Sequence, residues 1–306
     1  MSTAIVKEIF DVDVIRTRDK EILDTLDLVY DVGGGEYDHH DIEKVYRESG
    51  TPYAACGLIW RRFGREVVQY REPSLNVDEI DEVYRNVDEY LIEGIDATDN
   101  GLKTYDTIIP TVCISSVISG FNPTWDKNIP EDEAFNKAVD VASNVLRNTI
   151  NQKVSEIRAR KYIIKAFENR AKPELLILDN SYPWTHTLQE IDKNEEVLFV
   201  IFPRDNQYLI QTVRGSDGAD RKKLPKSWAG KRDEALNNIL GIEDAVFCHP
   251  GRFIAGAKSY DSILKMAEIA VNEPYDEEEK IKKPEDNDIP GKVKKSFLRR
   301  RILIRM

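Results

Sequence analysis

Two hydrophobic rhythms run along the chain. Near the start, Ile5/Ile9 and Val6/Phe10 share one stripe, which predicts a helix over Ser2–Phe10 with Ser2 as its N-cap. Val12–Thr17 then reads as a strand, Asp19–Leu26 as a short helix and Leu28–Val32 as a second strand. Helix and strand in turn predict a parallel α/β sheet, although a doubly wound domain ordinarily opens on a strand. Thr51-Pro52 followed by Tyr53–Phe63 and Gly64 carries a start and a stop signal for another helix. Val77, Ile80, Tyr84, Val87, Leu91 and Ile95 recur every three or four positions, with Asn76 or Ser74 as cap and Asn100-Gly101 as stop. Thr107–Ser119 is apolar and partly β-branched, and Phe121–Trp125 reads as a turn.

From Glu131 to about Arg170 the helical rhythm does not break, through Phe135, Val139, Leu146, Ile150, Val154 and Ile164. This exceeds an ordinary globular helix and predicts a connector between two domains. Beyond Pro173 the rhythm shortens. Leu175–Leu178 reads as a strand, and Val197–Phe202 and Tyr208–Val213 as a hairpin around Pro203–Gln207. Gly230–Leu240 reads as a helix closed by Gly241, Ala245–Cys248 as a strand, and Ser259 as the cap of a last helix reaching Val271. The fold class is therefore α/β: a parallel-sheet domain over 1–130, a helical connector over 131–172 and a smaller α+β domain over 173–272. Residues 273–306 form a charged tail, acidic at first and then rich in Lys and Arg, without a packing pattern.

Composition narrows the picture. A formal net charge of −11 over 306 residues excludes a surface basic throughout, so any phosphate-binding patch must be local. The three cysteines are scattered, which excludes a disulfide framework or a zinc ribbon and fits a reducing cytoplasm. No apolar run reaches the length of a membrane span, and no charged stretch followed by an apolar one opens the chain, so neither a membrane partner nor a leader is expected.

The candidate chemistry concentrates in Tyr30–His40, YDVGGGEYDHH. An apolar run delivers Asp31, three glycines turn the chain, and Asp38-His39-His40 follow. Open α/β sheets place ligands at such strand ends, and imidazole with carboxylate favours Mn, Fe or Zn over Ca. The bland alternative is a His pair that caps a turn; against it, two of only four histidines are adjacent here. Asp96 and Asp99, three apart on a helix, share a face and could meet this cluster, or could form a solvated acidic helix end. The Gly-rich turn His249–Gly256 offers His249 and Arg252 to phosphate oxygens, with a plain strand–helix turn as the equal alternative.

Seven ordered motifs carry a resemblance. They are IRTRD (Ile15–Asp19), VYDVGGGEYDHH (Val29–His40), CGLIWRRFG (Cys56–Gly64), IDATDNG (Ile95–Gly101), FNPTWD (Phe121–Asp126), WAGKRDEAL (Trp228–Leu236) and FCHPGRFIAGAKS (Phe247–Ser259). From residue 2 to about 272 the chain resembles the melanocyte-proliferating-gene-one (Myg-one) family of metal-dependent hydrolases, relatives of the DHH phosphoesterases. The resemblance implies a DHH-like domain with a dinuclear site, usually manganese, followed by a substrate-binding domain. It further implies 3′-to-5′ exonuclease action on RNA or a short oligonucleotide, with a homodimer as an allowed assembly. Carried over, Asp31 and His39 are metal ligands, Asp99 the late aspartate ligand and Asp96 its competitor. His40 and Asp38 are the catalytic pair, Asp38 orienting the cluster. Arg18, His249 and Arg252 meet the substrate.

The family pattern also opens on a strand and a first metal motif, GTFHADD, whose ligands this sequence lacks. The expectation is a start chosen inside a longer protein, or else a truncation that damages the site, and in either case weak metal binding and little activity for these 306 residues. Two other functions stay open: a non-catalytic nucleic-acid-binding or scaffolding protein, and a hydrolase of small phosphate compounds such as pyrophosphate.

Overall fold

The computed structural model of the chain describes residues 1–40, 44–104 and 111–275. These residues have a mixed α/β fold and divide into two compact units: Met1–Lys165 with Tyr182–Ile191, and Ala166–Ser181 with the residues from Asp192 onward. The tail from 276 to 306 lies outside the described residues, as do the first residues of the Thr107–Ser119 stretch.

The first unit is built from helices. α1 (Ser2–Val6) and α2 (Lys20–Leu23) are short, and Asp19 caps α2 by accepting the Glu21 N–H. α3 (Ala55–Arg71) buries Ile59, Trp60, Phe63, Val67 and Val68. α4 (Val77–Val87) opens on a full capping box, in which Asn76 and Glu79 satisfy each other's backbone N–H. A π-helical turn (Asp88–Ile92) joins it without a break to α5 (Glu93–Asp99). α6 (Ile114–Ser119) precedes α7 (Glu131–Glu168), one continuous helix of 38 residues. α7 is more than a spacer, because Leu146, Ile150, Val154 and Ile157 pack into the same core as Trp60 and Val83. Glu8, nearly inaccessible, accepts from Arg71 at 2.9 Å and Arg147 at 2.8 Å, tying the end of α1 to α3 and α7.

Three local expectations are corrected here. Val12–Thr17 and Leu28–Val32 run without helical bonds but are not strands, since a strand needs a ladder partner and none lies beside them among the described residues. The α3 helix starts at Ala55, not after Thr51, because Thr51 donates its hydroxyl to Glu93 at 2.6 Å and Pro52 bridges back to Tyr46. Gly64 lies within α3 instead of ending it. A Cβ there would stand 2.7 Å from the Trp60 ring and 2.9 Å from Tyr84, so the glycine is required by close packing.

The second unit holds a five-stranded sheet in the order β1-β2-β3-β5-β4. Its strands are β1 (Leu175–Ile177), β2 (Phe199–Arg204), β3 (Gln207–Thr212), β4 (Ala245–Cys248) and β5 (Ile254–Ala257). β1 and β2 are parallel, and the other pairings are antiparallel. The β2–β3 hairpin closes at Arg204↔Gln207, with Asp205 in the left-handed region. α9 (Asp233–Leu240) ends on left-handed Gly241, and α10 (Tyr260–Asn272) starts where Ser259 accepts the Ser262 N–H. Phe199, Ile201, Ile210, Trp228, Leu236, Ile263 and Met266 form its core. α8 (Thr185–Ile191) groups with the first unit.

Candidate metal centre

The turn after Leu28–Tyr30 is shaped by its own polar groups. Asp31 takes φ +67°, a conformation Asp tolerates, and Gly33 (φ +89°) and Gly34 (φ +70°) complete the reversal. The Asp31 N–H donates to Tyr37 O at 3.0 Å. Asp38, nearly buried, accepts from Gly34 N–H at 2.8 Å and from His40 N–H at 3.1 Å. Its Oδ1 also meets the His40 ring Nδ1 at 2.6 Å. Burial opposes the charge on Asp38, but these hydrogen bonds outweigh it and hold the carboxyl below its ordinary value. The same bond to Asp38 raises His40 above the usual imidazole value, with Asp31 and Asp99 adding to it.

His39 is the hub. Its side chain is 10% exposed, against 57% for Asp31 and 54% for Asp99. Nδ1 accepts the Ala55 N–H, the first of α3, at 3.2 Å and lies 3.5 Å from Asp31 Oδ1. Nε2 stands 3.3 Å from Asp99 Oδ2. With Nδ1 accepting, the neutral ring carries its proton on Nε2, toward Asp99. Asp99 reaches this place because Gly101 (φ +73°) stops α5 just beyond it, and Asn100 pins the helix end by donating to Pro52 O at 3.3 Å. Burial and the charge of Asp99 push Asp31 above the ordinary carboxylate range, the mark of acids converging without a countercharge.

This donor set fits a divalent cation. Ligand atoms of Asp31, His39 and His40 lie within 4.8 Å of one another. Two ligands on one ion stand at most about 4.2 Å apart, so the group needs only a small closure. Carboxylate with imidazole suits Mn, Fe or Zn.

Asp96 does not join this cluster. It is fully buried about one turn earlier along the same helix, accepting the Gly57 N–H at 2.9 Å and pairing with Arg47 Nη2 at 2.8 Å. Arg47 also grips Asp88 through two bonds of 2.8 Å and stacks on Tyr53. Burial raises Asp96 to about 6 even though Arg47 and Gly57 favour its charge. A Cβ on Gly57 would fall 1.8 Å from Asp96 Oδ2, so this carboxylate fills a place a glycine leaves open. Arg47 and the Ala55 N–H are the two contributors that sequence reasoning missed; no periodicity or motif marks a lone Arg in a polar loop or a backbone donor.

Arg18 is exposed and lines a cavity of about 860 Å³ together with Asp31 and the run Asp11–Thr17. His249 and Arg252 belong to the second unit. There the His249 ring accepts the Gly251 N–H at 3.0 Å, and Arg252 (φ +61°) donates to Leu224 O at 3.3 Å. No helix among the described residues is long and apolar enough to cross a membrane.

Comparison with known proteins adds a family. The model of a family described as Uncharacterised protein family (UPF0160), MYG1_exonuc, matches residues 1–271. The MYG1 protein C694.04c of Schizosaccharomyces pombe is 28% identical over 289 residues, covering 85% of this chain and 89% of that protein. The MYG1 exonuclease of Homo sapiens is 29% identical over 292 residues, covering 84% and 77%. The MYG1 protein YER156C of Saccharomyces cerevisiae is 25% identical over 299 residues, covering 86% and 88%.

Proposed function

The chain belongs to the MYG1_exonuc family, and from that premise we propose that it is a metal-dependent phosphodiesterase that shortens RNA from its 3′ end. The observation that carries this reading is the meeting of Asp31 and Asp99 on the two ring nitrogens of one partly buried histidine. Relatives named exonucleases point the same way. Asp31, His39 and Asp99 are the residues that would hold a divalent cation, manganese by donor type. Such an ion supplies the Lewis acidity that phosphodiester hydrolysis draws on.

The remaining roles fall to the chain itself. Asp38 fixes the His40 ring and keeps it protonated to higher pH. His40 is then placed to give its proton to the leaving 3′ oxygen as water adds to phosphorus and the P–O bond breaks. Arg18 steadies the phosphate next to Asp31. His39, held by Ala55 N–H and Asp99, cannot rotate without losing both partners.

The test is degradation of a single-stranded RNA labelled at its 5′ end, with manganese present and then chelated. Progressive loss from the 3′ end that stops on chelation and in Asp31→Asn supports the proposal. RNA retained without any product fits the non-catalytic binding protein instead, and turnover of pyrophosphate alone fits the small-phosphate hydrolase.

A further inference from the structure

The metal-type cluster has a rim to which the cleavage reading gives no task. Ahead of α3 the chain folds back on itself at Gly50 (φ +87°), whose N–H donates to Arg47 O at 2.9 Å. Arg47 N–H donates to Thr51 O and Tyr53 N–H to Val45 O, each at 2.9 Å, which pairs Tyr46 with Pro52 in a short antiparallel hairpin. Polar staples run from this hairpin onto α5, the helix that carries Asp99. Thr51 donates to Glu93 at 2.6 Å, and Arg47 pairs with Asp96 at 2.8 Å. Asn100, next to Asp99, takes both strands at once. Its amide N–H donates to Pro52 O at 3.3 Å, and its amide oxygen accepts from Lys44 Nζ at 2.7 Å.

Arg47, buried, marks the inner face of the hairpin. Side chains alternate along a strand, so Lys44 and Tyr46 share the outer one. Lys44 is exposed, and so is Tyr46, at 59%. Among the described residues the polar partner of Lys44 is the neutral Asn100 amide and not an acid. The amide holds the ammonium in place beside Asp99 without cancelling its charge, and leaves its other N–H groups to a ligand. A fixed cation and an open aromatic ring thus stand on one face at the edge of the acid cluster. They match the two ends of a nucleotide, since an ammonium meets the phosphate and a ring stacks on the base.

We propose that Lys44 and Tyr46 are specificity-determining residues of this cluster. Lys44 grips the phosphate presented to it, and Tyr46 stacks on the base attached to that phosphate, so a phosphate without a base is held less well. The inference rests on the reading of the cluster as a site for phosphodiesters and adds to it the device that separates a nucleotide from pyrophosphate or a sugar phosphate. Because stacking uses the ring face alone, the identity of the base matters little.

The experiment is calorimetry of the full chain, with manganese present, against uridine 5′-monophosphate and ribose 5-phosphate, which differ only in the base. The nucleotide is expected to bind about tenfold more tightly. Tyr46→Ala and Tyr46→Leu are expected to erase that preference by weakening the nucleotide alone, and Tyr46→Phe to keep it. Lys44→Gln is expected to weaken both ligands about tenfold and to leave their ratio as it was. Neither ligand contains a phosphodiester, so the readout does not depend on cleavage. A preference that vanishes with the Tyr46 ring upholds the inference even where RNA is never shortened, a result that rejects the cleavage reading alone. The inference is overturned if the unaltered chain does not prefer the nucleotide, or if both Tyr46→Ala and Tyr46→Leu keep the preference. It is equally overturned if Lys44→Gln binds both ligands as the unaltered chain does.

Discussion

Asp96 and Asp99 sit three residues apart on one short helix and serve opposite ends. Asp96 is sealed beneath Gly57 and held by Arg47, which Asp88 holds in turn. Asp99 stands half exposed at the helix end, facing His39. The first carboxylate is neutralised by permanent protein partners, while the second shares a histidine with another acid and has no cation of its own among the described residues. A buried acid with a fixed countercharge serves the fold. Acids that crowd an imidazole at the surface have surplus negative charge to offer a ligand.

The largest effect that tests this contrast belongs to the sealed side. Arg47→Met leaves Asp96 buried without its partner and should cost about 3–5 kcal/mol in urea unfolding, whereas Asp99→Asn should leave stability nearly unchanged. Equal losses would erase the distinction. Next comes pH. Burial raises Asp96 from 3.8 to about 6, so between those values the folded chain keeps a proton that the unfolded chain has released. Its stabilising contribution is complete below 3.8 and is lost as pH rises through about 6. Relative to Asp96→Asn, the unaltered chain should lose at most about 3 kcal/mol across that window; parallel stability curves would refute this. Smaller still, His39→Ala removes the acceptor of the Ala55 N–H and should cost about 1 kcal/mol. Smallest is Asp38→Asn, which should move the His40 titration to lower pH in a nuclear magnetic resonance experiment. An unmoved His40 would mean that the 2.6 Å contact does not set its charge.

How far the sequence was legible follows the same divide between local and distant causes. Asn76 with Glu79, Gly241 and Ser259 announce helix ends because the cap lies within the sequence it caps. The hairpin of β2 and β3 is readable for the same reason. β5, written Ile-Ala-Gly-Ala, has no strand pattern of its own and becomes a strand through pairing with β3 and β4. Val12–Thr17 shows the converse, a strand-like composition without a ladder. Within the site, Asp31, His39, His40 and Asp38 were legible as a cluster because one turn gathers them. The choice between Asp96 and Asp99 was not, since it depends on Arg47, distant along the chain, and on a glycine in α3.

The central claim concerns where a cation binds, so manganese titration by calorimetry tests it most directly, comparing the unaltered chain with Asp31→Asn, His39→Ala and Asp96→Asn. Affinity falling at least tenfold in the first two variants and persisting in the folded Asp96→Asn chain is the predicted result. Manganese binding that survives Asp31→Asn and His39→Ala but disappears with Asp96→Asn would contradict it.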